Sequence, residues 1–152
     1  MTRTTLILLA SLGSAALLAG AFTFQAFGYA PCHLCLLQRW PHAAAVLIGL
    51  VALASGLRVM AWLGALAALT TAGLGLYHTG VERQWWEGPT TCTSGSIDGV
   101  DPTDLLNQIL AAPIVRCDEV AWQMLGLSMA SWNMLASLVL VGVWIMAARR
   151  AA

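Results

Sequence analysis

Four long stretches of this chain carry no formal charge: residues 4–38, 40–57, 59–81 and 120–148. A helix that crosses a bilayer needs about 20 mostly apolar residues, so four crossings fit. The stretch 40–57 is 18 residues long and short for a span, but Arg39 beside it can snorkel to the interface and lengthen it. The predicted spans are 5–26, 38–56, 59–80 and 130–148, within a single integral membrane domain over 1–152. Composition agrees, at 59% hydrophobic and 9% charged with no lysine, and no nucleic-acid partner is expected. Arg3 ahead of an apolar run that ends near Ala19-Gly20-Ala21 has the look of a cleavable export signal. The run is too long for one and three more spans follow, so it is expected to stay as the first span.

Short connections force successive helices to be antiparallel neighbours, which predicts an all-α, up-down four-helix bundle. Small residues such as Gly13-Ser14-Ala15-Ala16, Gly64-Ala65, Gly73 and Gly75 permit close helix contact where lipid offers no hydrophobic drive. The external loops are expected at about 27–37 and 81–129. In the longer one, Leu105, Leu106, Ile109 and Leu110 recur at helical spacing, with Asp101 or Thr103 as cap and Pro113 as stop. This predicts a short amphipathic helix over 102–111, lying on the membrane surface in preference to packing on the loop's own small core.

Arginines set the orientation only weakly. Arg3, Arg58, Arg149 and Arg150 fall on one side, against Arg39, Arg83 and Arg116 on the other. The four cysteines decide it. Cys32, Cys35, Cys92 and Cys117 all fall in or beside the two loops, and disulfides persist outside the reducing cytosol. The loops are therefore expected in the periplasm or its equivalent, with both termini cytoplasmic.

Cys32-His33-Leu34-Cys35 sits beside a helix start, where backbone amides stabilise a thiolate. A zinc knuckle wants two close pairs, and the wide spacing of Cys92 and Cys117 argues against it, so no metal is expected. Haem attachment needs a histidine after the second cysteine, where Leu36 stands. A structural disulfide across so short a loop stabilises weakly. A redox pair remains the best reading. Cys92 and Cys117 suit either a staple for the long loop or a second redox pair that accepts electrons from an exported thiol protein and passes them to Cys32–Cys35 by exchange.

Around the pair stand three further candidates. If the helix begins just before it, Arg39, four residues after Cys35, shares its helix face, where it can favour a thiolate, bind a carbonyl, or simply anchor the helix end. Pro41 makes the helix either start late or kink. His78, near the outer end of the third span, can hydrogen-bond a quinone oxygen or move a proton, though a single histidine is a weak signal. His33 can tune the pair, and His42 reads as interfacial. Trp40, Trp85, Trp86, Trp122 and Trp132 read as interfacial aromatics.

The segment Pro31-Cys32-His33-Leu34-Cys35-Leu36-Leu37-Gln38-Arg39-Trp40 resembles the first loop of the bacterial disulfide bond formation protein B family. The resemblance continues in Tyr77-His78, in Glu82, Trp86-Glu87-Gly88-Pro89 and Cys92, and in Cys117-Asp118-Glu119, Trp122, Leu125-Gly126-Leu127-Ser128-Met129 and Trp132. It covers essentially the whole chain. It implies a four-helix inner-membrane enzyme that reoxidises a soluble thioredoxin-fold (DsbA-like) disulfide donor and reduces quinone, either ubiquinone or menaquinone, functioning as a monomer. On that resemblance Cys92 forms the mixed disulfide with the partner, Cys117 exchanges with Cys32, and Cys35 is the thiolate beside the quinone. Arg39 matches the quinone-site arginine and His78 the histidine near the ring. His33, inside the pair, is a position that differs among members. Two other readings compete. One is a quinone-linked oxidoreductase similar to vitamin K epoxide reductase, in which the membrane-proximal pair follows the loop pair, the reverse of the order here. The other is a non-catalytic tetraspan protein stapled by disulfides.

Overall fold

The computed structural model describes residues 1–90, 92, 101, 106, 110 and 115–150. Helices α1 (Arg3–Ala26), α2 (His33–Ser55), α3 (Arg58–Glu82) and α4 (Met129–Arg149) are 24, 23, 25 and 21 residues long. At about 1.5 Å per residue they reach roughly 32–38 Å, enough for a hydrocarbon layer of about 30 Å. Among the described residues these four are long and apolar enough to cross a membrane. Each packs on its neighbours in the order α1, α2, α3, α4 and back to α1, so the chain is an all-α bundle of four spans.

The distribution of side chains suits lipid. Leu8, Leu12, Leu47, Leu50, Leu66 and Val139 face outward, whereas Ser14, Gln38, His42, Thr71, His78 and Ser137 are buried. Lipid accepts the leucines, and Gln38, His42, Thr71 and His78 find hydrogen-bond partners inside. At the end of the bundle that holds the chain termini, Trp144 of α4 is fully buried among Leu6, Ile7, Ala10, Ala61 and Ala65. Its indole lies where α3 and α2 have glycines: a Cβ at Gly64 would sit 2.6 Å from the ring, and one at Gly49 would sit 3.6 Å from it. The small residues therefore make the slot for one large one.

Helix ends follow local chemistry. Thr2 caps α1 by accepting from the Thr5 amide, and Gly56 closes α2 in the left-handed region at φ +66°. The second helix starts at His33, five residues ahead of the expected 38. The cap is Cys32, whose sulfur accepts from the Cys35 amide at 3.3 Å. The first outer connection is correspondingly short. Pro41 lies inside α2, so the helix does not start late; it runs through the proline to Ser55.

Ahead of α4 stands a hairpin that the sequence reading lacked, Gln123–Met124 (β1) paired antiparallel with Leu127–Ser128 (β2). Its two-residue turn has Leu125 at φ +53° and Gly126 at φ +75°, the backbone of a type I′ turn. Ser128 then caps α4 by accepting from the Ser131 amide. Of the helix expected over 102–111, only Leu106 and Leu110 are described, both helical and exposed; the rest of that expectation lies outside the described residues.

Candidate redox site

Capping places the first sulfur. Because Cys32 ends the loop and begins α2, the first helical turn carries Cys35 back beside it, with the two Sγ atoms 3.0 Å apart as free thiols. Cys32 is the donor of that hydrogen bond. The bond to Cys35 and then burial push the Cys32 thiol above its ordinary value. Cys92 and Cys117 form a disulfide with Cα atoms 5.3 Å apart, and the Cys117 amide donates to the Cys92 carbonyl at 2.7 Å. This disulfide packs in one buried apolar cluster with Cys32, Leu34 and Val81. The four cysteines thus meet at one end of the bundle.

α3 brings His78 to the same point. Its Nε2 is 3.6 Å from Cys32 Sγ and 3.8 Å from Glu82 Oε1, one turn further along α3. Glu82 accepts in turn from Ser128 Oγ, and Ser128, Ser131 and Thr79 hydroxyls continue the chain at 3.1 Å spacings. On the other side of the ring, Nδ1 is 2.9 Å from Gln38 Nε2. Gln38 Oε1 accepts from Asn133 Nδ2 of α4 at 2.7 Å, and Asn133 Oδ1 lies 2.8 Å from His42 Nε2. Asn133 also reaches Thr71, whose hydroxyl donates to the Gln38 carbonyl. A buried polar ladder therefore runs from the cysteine pair into the bundle through three helices.

Arg39 takes a different direction. Nη1 donates to Gln25 Oε1 at 2.7 Å and Nη2 to the Ala21 carbonyl at 3.4 Å, while the guanidinium stands 4.8 Å over the Phe22 ring. All three partners lie on α1. Beside it opens a cavity of about 440 Å³ bordered by all four helices and by the outer segment 115–124, whose lining includes Phe24, Cys35, Arg39, His78, Trp132 and Asn133. Cys35 and Arg39 thus line one void whose walls are mostly apolar.

Sequence reasoning missed Gln38, Asn133 and Gln25, and it left His42 at the interface where the structure buries it. Their signal was available, since an uncharged polar side chain inside an apolar span is costly unless it is paired. What the sequence lacks is the identity of the partner, 95 residues away in the case of Gln38 and Asn133.

A four-span membrane bundle that gathers a dithiol and a disulfide at one end is a thiol–disulfide exchange protein. Residues 3–147 match the family described as Disulfide bond formation protein DsbB, and the chain belongs to that family. It is similar to Disulfide bond formation protein B of Azoarcus sp. (strain BH72), with 31% identity covering 90% of this chain and 87% of the relative. Disulfide bond formation protein B of Hahella chejuensis (strain KCTC 2396) is 30% identical, covering 95% of this chain and 92% of the relative. Disulfide bond formation protein B 2 of Pseudomonas aeruginosa (strain PAO1) is 32% identical over 70% of this chain and 67% of its own length. No solved structure matches the chain. Membership makes it a multi-pass membrane protein of disulfide bond formation, a disulfide-forming oxidoreductase with a thiol–disulfide partner.

Proposed function

We propose that this protein reoxidises a thioredoxin-fold dithiol partner in the periplasm and delivers the two electrons to quinone in the inner membrane. The observation that carries this reading is the position of Cys32 and Cys35: Cys32 packs against the Cys92–Cys117 disulfide, and Cys35 lines the cavity shared with Arg39. The cavity suits a quinone head, with apolar walls for the ring, a guanidinium for a carbonyl oxygen and a thiol at the edge. When bound there, quinone supplies a two-electron, two-proton acceptor. With the cysteine end in the periplasm, both termini lie in the cytoplasm.

The exchange steps belong to the chain. The partner's thiolate attacks Cys92, breaking the Cys92–Cys117 bond and freeing Cys117 as a thiolate. The partner's second thiol then closes its own disulfide and releases Cys92. Cys117 attacks Cys32 of an oxidised Cys32–Cys35 pair, and Cys35 leaves as a thiolate beside Arg39. Cys92 attacks Cys117, restoring the loop disulfide and expelling Cys32. Two electrons have moved inward and no sulfur is lost, as exchange through mixed disulfides requires. Arg39 favours negative charge at the cavity end.

Reduced protein in lipid, given a thioredoxin-fold dithiol and ubiquinone or menaquinone, should oxidise the dithiol and consume quinone in equal two-electron amounts. Undiminished activity in a Cys32→Ser/Cys35→Ser protein would overturn the reading.

A further inference from the structure

The hydrogen-bond ladder fixes a proton that coordinates alone do not display. The Leu34 carbonyl can only accept, so the Gln38 atom 3.1 Å from it is the amide nitrogen. Gln38 Oε1 then faces Asn133 and must receive a donor, which makes that atom of Asn133 its nitrogen. Asn133 Oδ1 consequently faces His42 and accepts from His42 Nε2–H. No member of the ladder can be flipped alone without setting two acceptors or two donors against each other. The second hydrogen of Gln38 Nε2 points at His78 Nδ1, 2.9 Å away, so Nδ1 supplies a lone pair and the ring's hydrogen resides on Nε2. The surroundings of Nε2 agree, since it faces Cys32 Sγ at 3.6 Å and Glu82 Oε1 at 3.8 Å.

We infer that Gln38, held in orientation by Asn133, is a positioning residue that locks His78 as an Nε2–H donor toward Cys32. Resting on the functional reading above, this assigns the ring its part in the exchange. His78 gives a hydrogen bond to the Cys32 sulfur as that sulfur is expelled by Cys92, and it takes no proton from it. The lock has a second consequence. Ligand atoms of Cys32, Cys35 and His78 lie within 4.8 Å of one another, the spacing of a soft-metal site. A histidine ligand must offer a lone pair, and metal-bound histidines typically donate their other ring N–H to an acceptor. Here a donor stands where that acceptor is needed. The dithiol is thereby kept for exchange in an arrangement that thiophilic cations would otherwise occupy.

The test is histidine ¹⁵N NMR of the reduced full chain in lipid at neutral pH, where only three histidines contribute and His78 is assigned by its loss in His78→Gln. The expected spectrum has His78 as the single Nε2–H tautomer. Gln38→Met, which keeps the length and removes the donor, should give a tautomer mixture and tighten Cd²⁺ binding to the reduced dithiol by about tenfold or more, read from cadmium–thiolate absorption. A wild-type His78 that is mixed or protonated on Nδ1 overturns the lock even if the variant fails to fold. A variant that folds and keeps the single Nε2–H form overturns the role of Gln38. An intact lock in a protein without quinone-dependent thiol oxidation overturns the functional reading and leaves the lock standing, and an unlocked ring in an active enzyme does the reverse.

Discussion

Adding one methyl group at each of two glycines of α3 should have opposite effects. Gly64 and Gly73 both lie in the helix interior, where Gly→Ala favours the helix by up to about 1 kcal/mol. At Gly73 a Cβ meets nothing within 4 Å, so Gly73→Ala should keep that gain. At Gly64 the Cβ would lie 2.6 Å from the Trp144 ring, against ordinary contact at 3.4 Å or more. The indole would have to retreat by roughly 0.8 Å, and it is already close to α2, where a Cβ at Gly49 would lie 3.6 Å from it. Overpacking of this kind costs about 1–3 kcal/mol, which outweighs the propensity gain. Gly64→Ala is therefore expected to be neutral to about 2 kcal/mol destabilised, and Gly64→Leu more so. Reversible unfolding in mixed micelles, followed by tryptophan fluorescence and circular dichroism, measures the difference. If Gly64→Ala proves as stable as Gly73→Ala, Trp144 is not wedged against α3 and the account of the inner packing fails.

Three further outcomes are expected. Cys117→Ser should accumulate a mixed disulfide between the partner and Cys92, mapped by mass spectrometry; linkage to Cys32 with Cys92 untouched would refute the proposed order. Arg39→Met should impair quinone use, seen as a raised apparent KM or a lowered kcat, while partner exchange at Cys92 stays near normal; Gln25→Leu should reproduce part of the loss because Gln25 holds the guanidinium at 2.7 Å. Asp118, next to Cys117, is held below the ordinary carboxylate range by its hydrogen bond from Arg116. A depressed carboxylate contributes stability above its unfolded value and loses it as pH falls through the folded one. Acid should thus loosen the ordering around Cys117, and Arg116→Met should abolish that pH dependence, as measured by reductant access to the Cys92–Cys117 disulfide.

The four spans were legible because charge-free stretches of that length have few other uses, and the Cys32 and Cys35 pair because its spacing is chemically narrow. The start of α2 was not. Helix-start rules look for Ser, Thr, Asp or Asn, and here a cysteine sulfur takes the place of the oxygen. The hairpin was hidden for a similar reason: Gly126 is the usual residue for its turn position, but Leu125 occupies a left-handed backbone that disfavours it. Arg39 was expected to face a ligand, and it reaches the cavity only with its guanidinium held by α1, a partnership that no periodicity within α2 announces. The ladder of Gln38, Asn133 and His42 depends on which faces of α2, α3 and α4 meet, and that is a property of the assembled bundle.

Cys32 is the cap of its own helix and, in the proposed exchange, also a reactant, which bears on how its substitutions compare as controls. Serine puts a better acceptor in the same place, so Cys32→Ser removes the redox chemistry while keeping the start of α2 closed. Alanine removes both functions at once, and loss of a cap alone costs about 1 kcal/mol. A difference in folding yield or partner affinity between the two proteins would measure the cap, and whatever they lose in common would measure the sulfur.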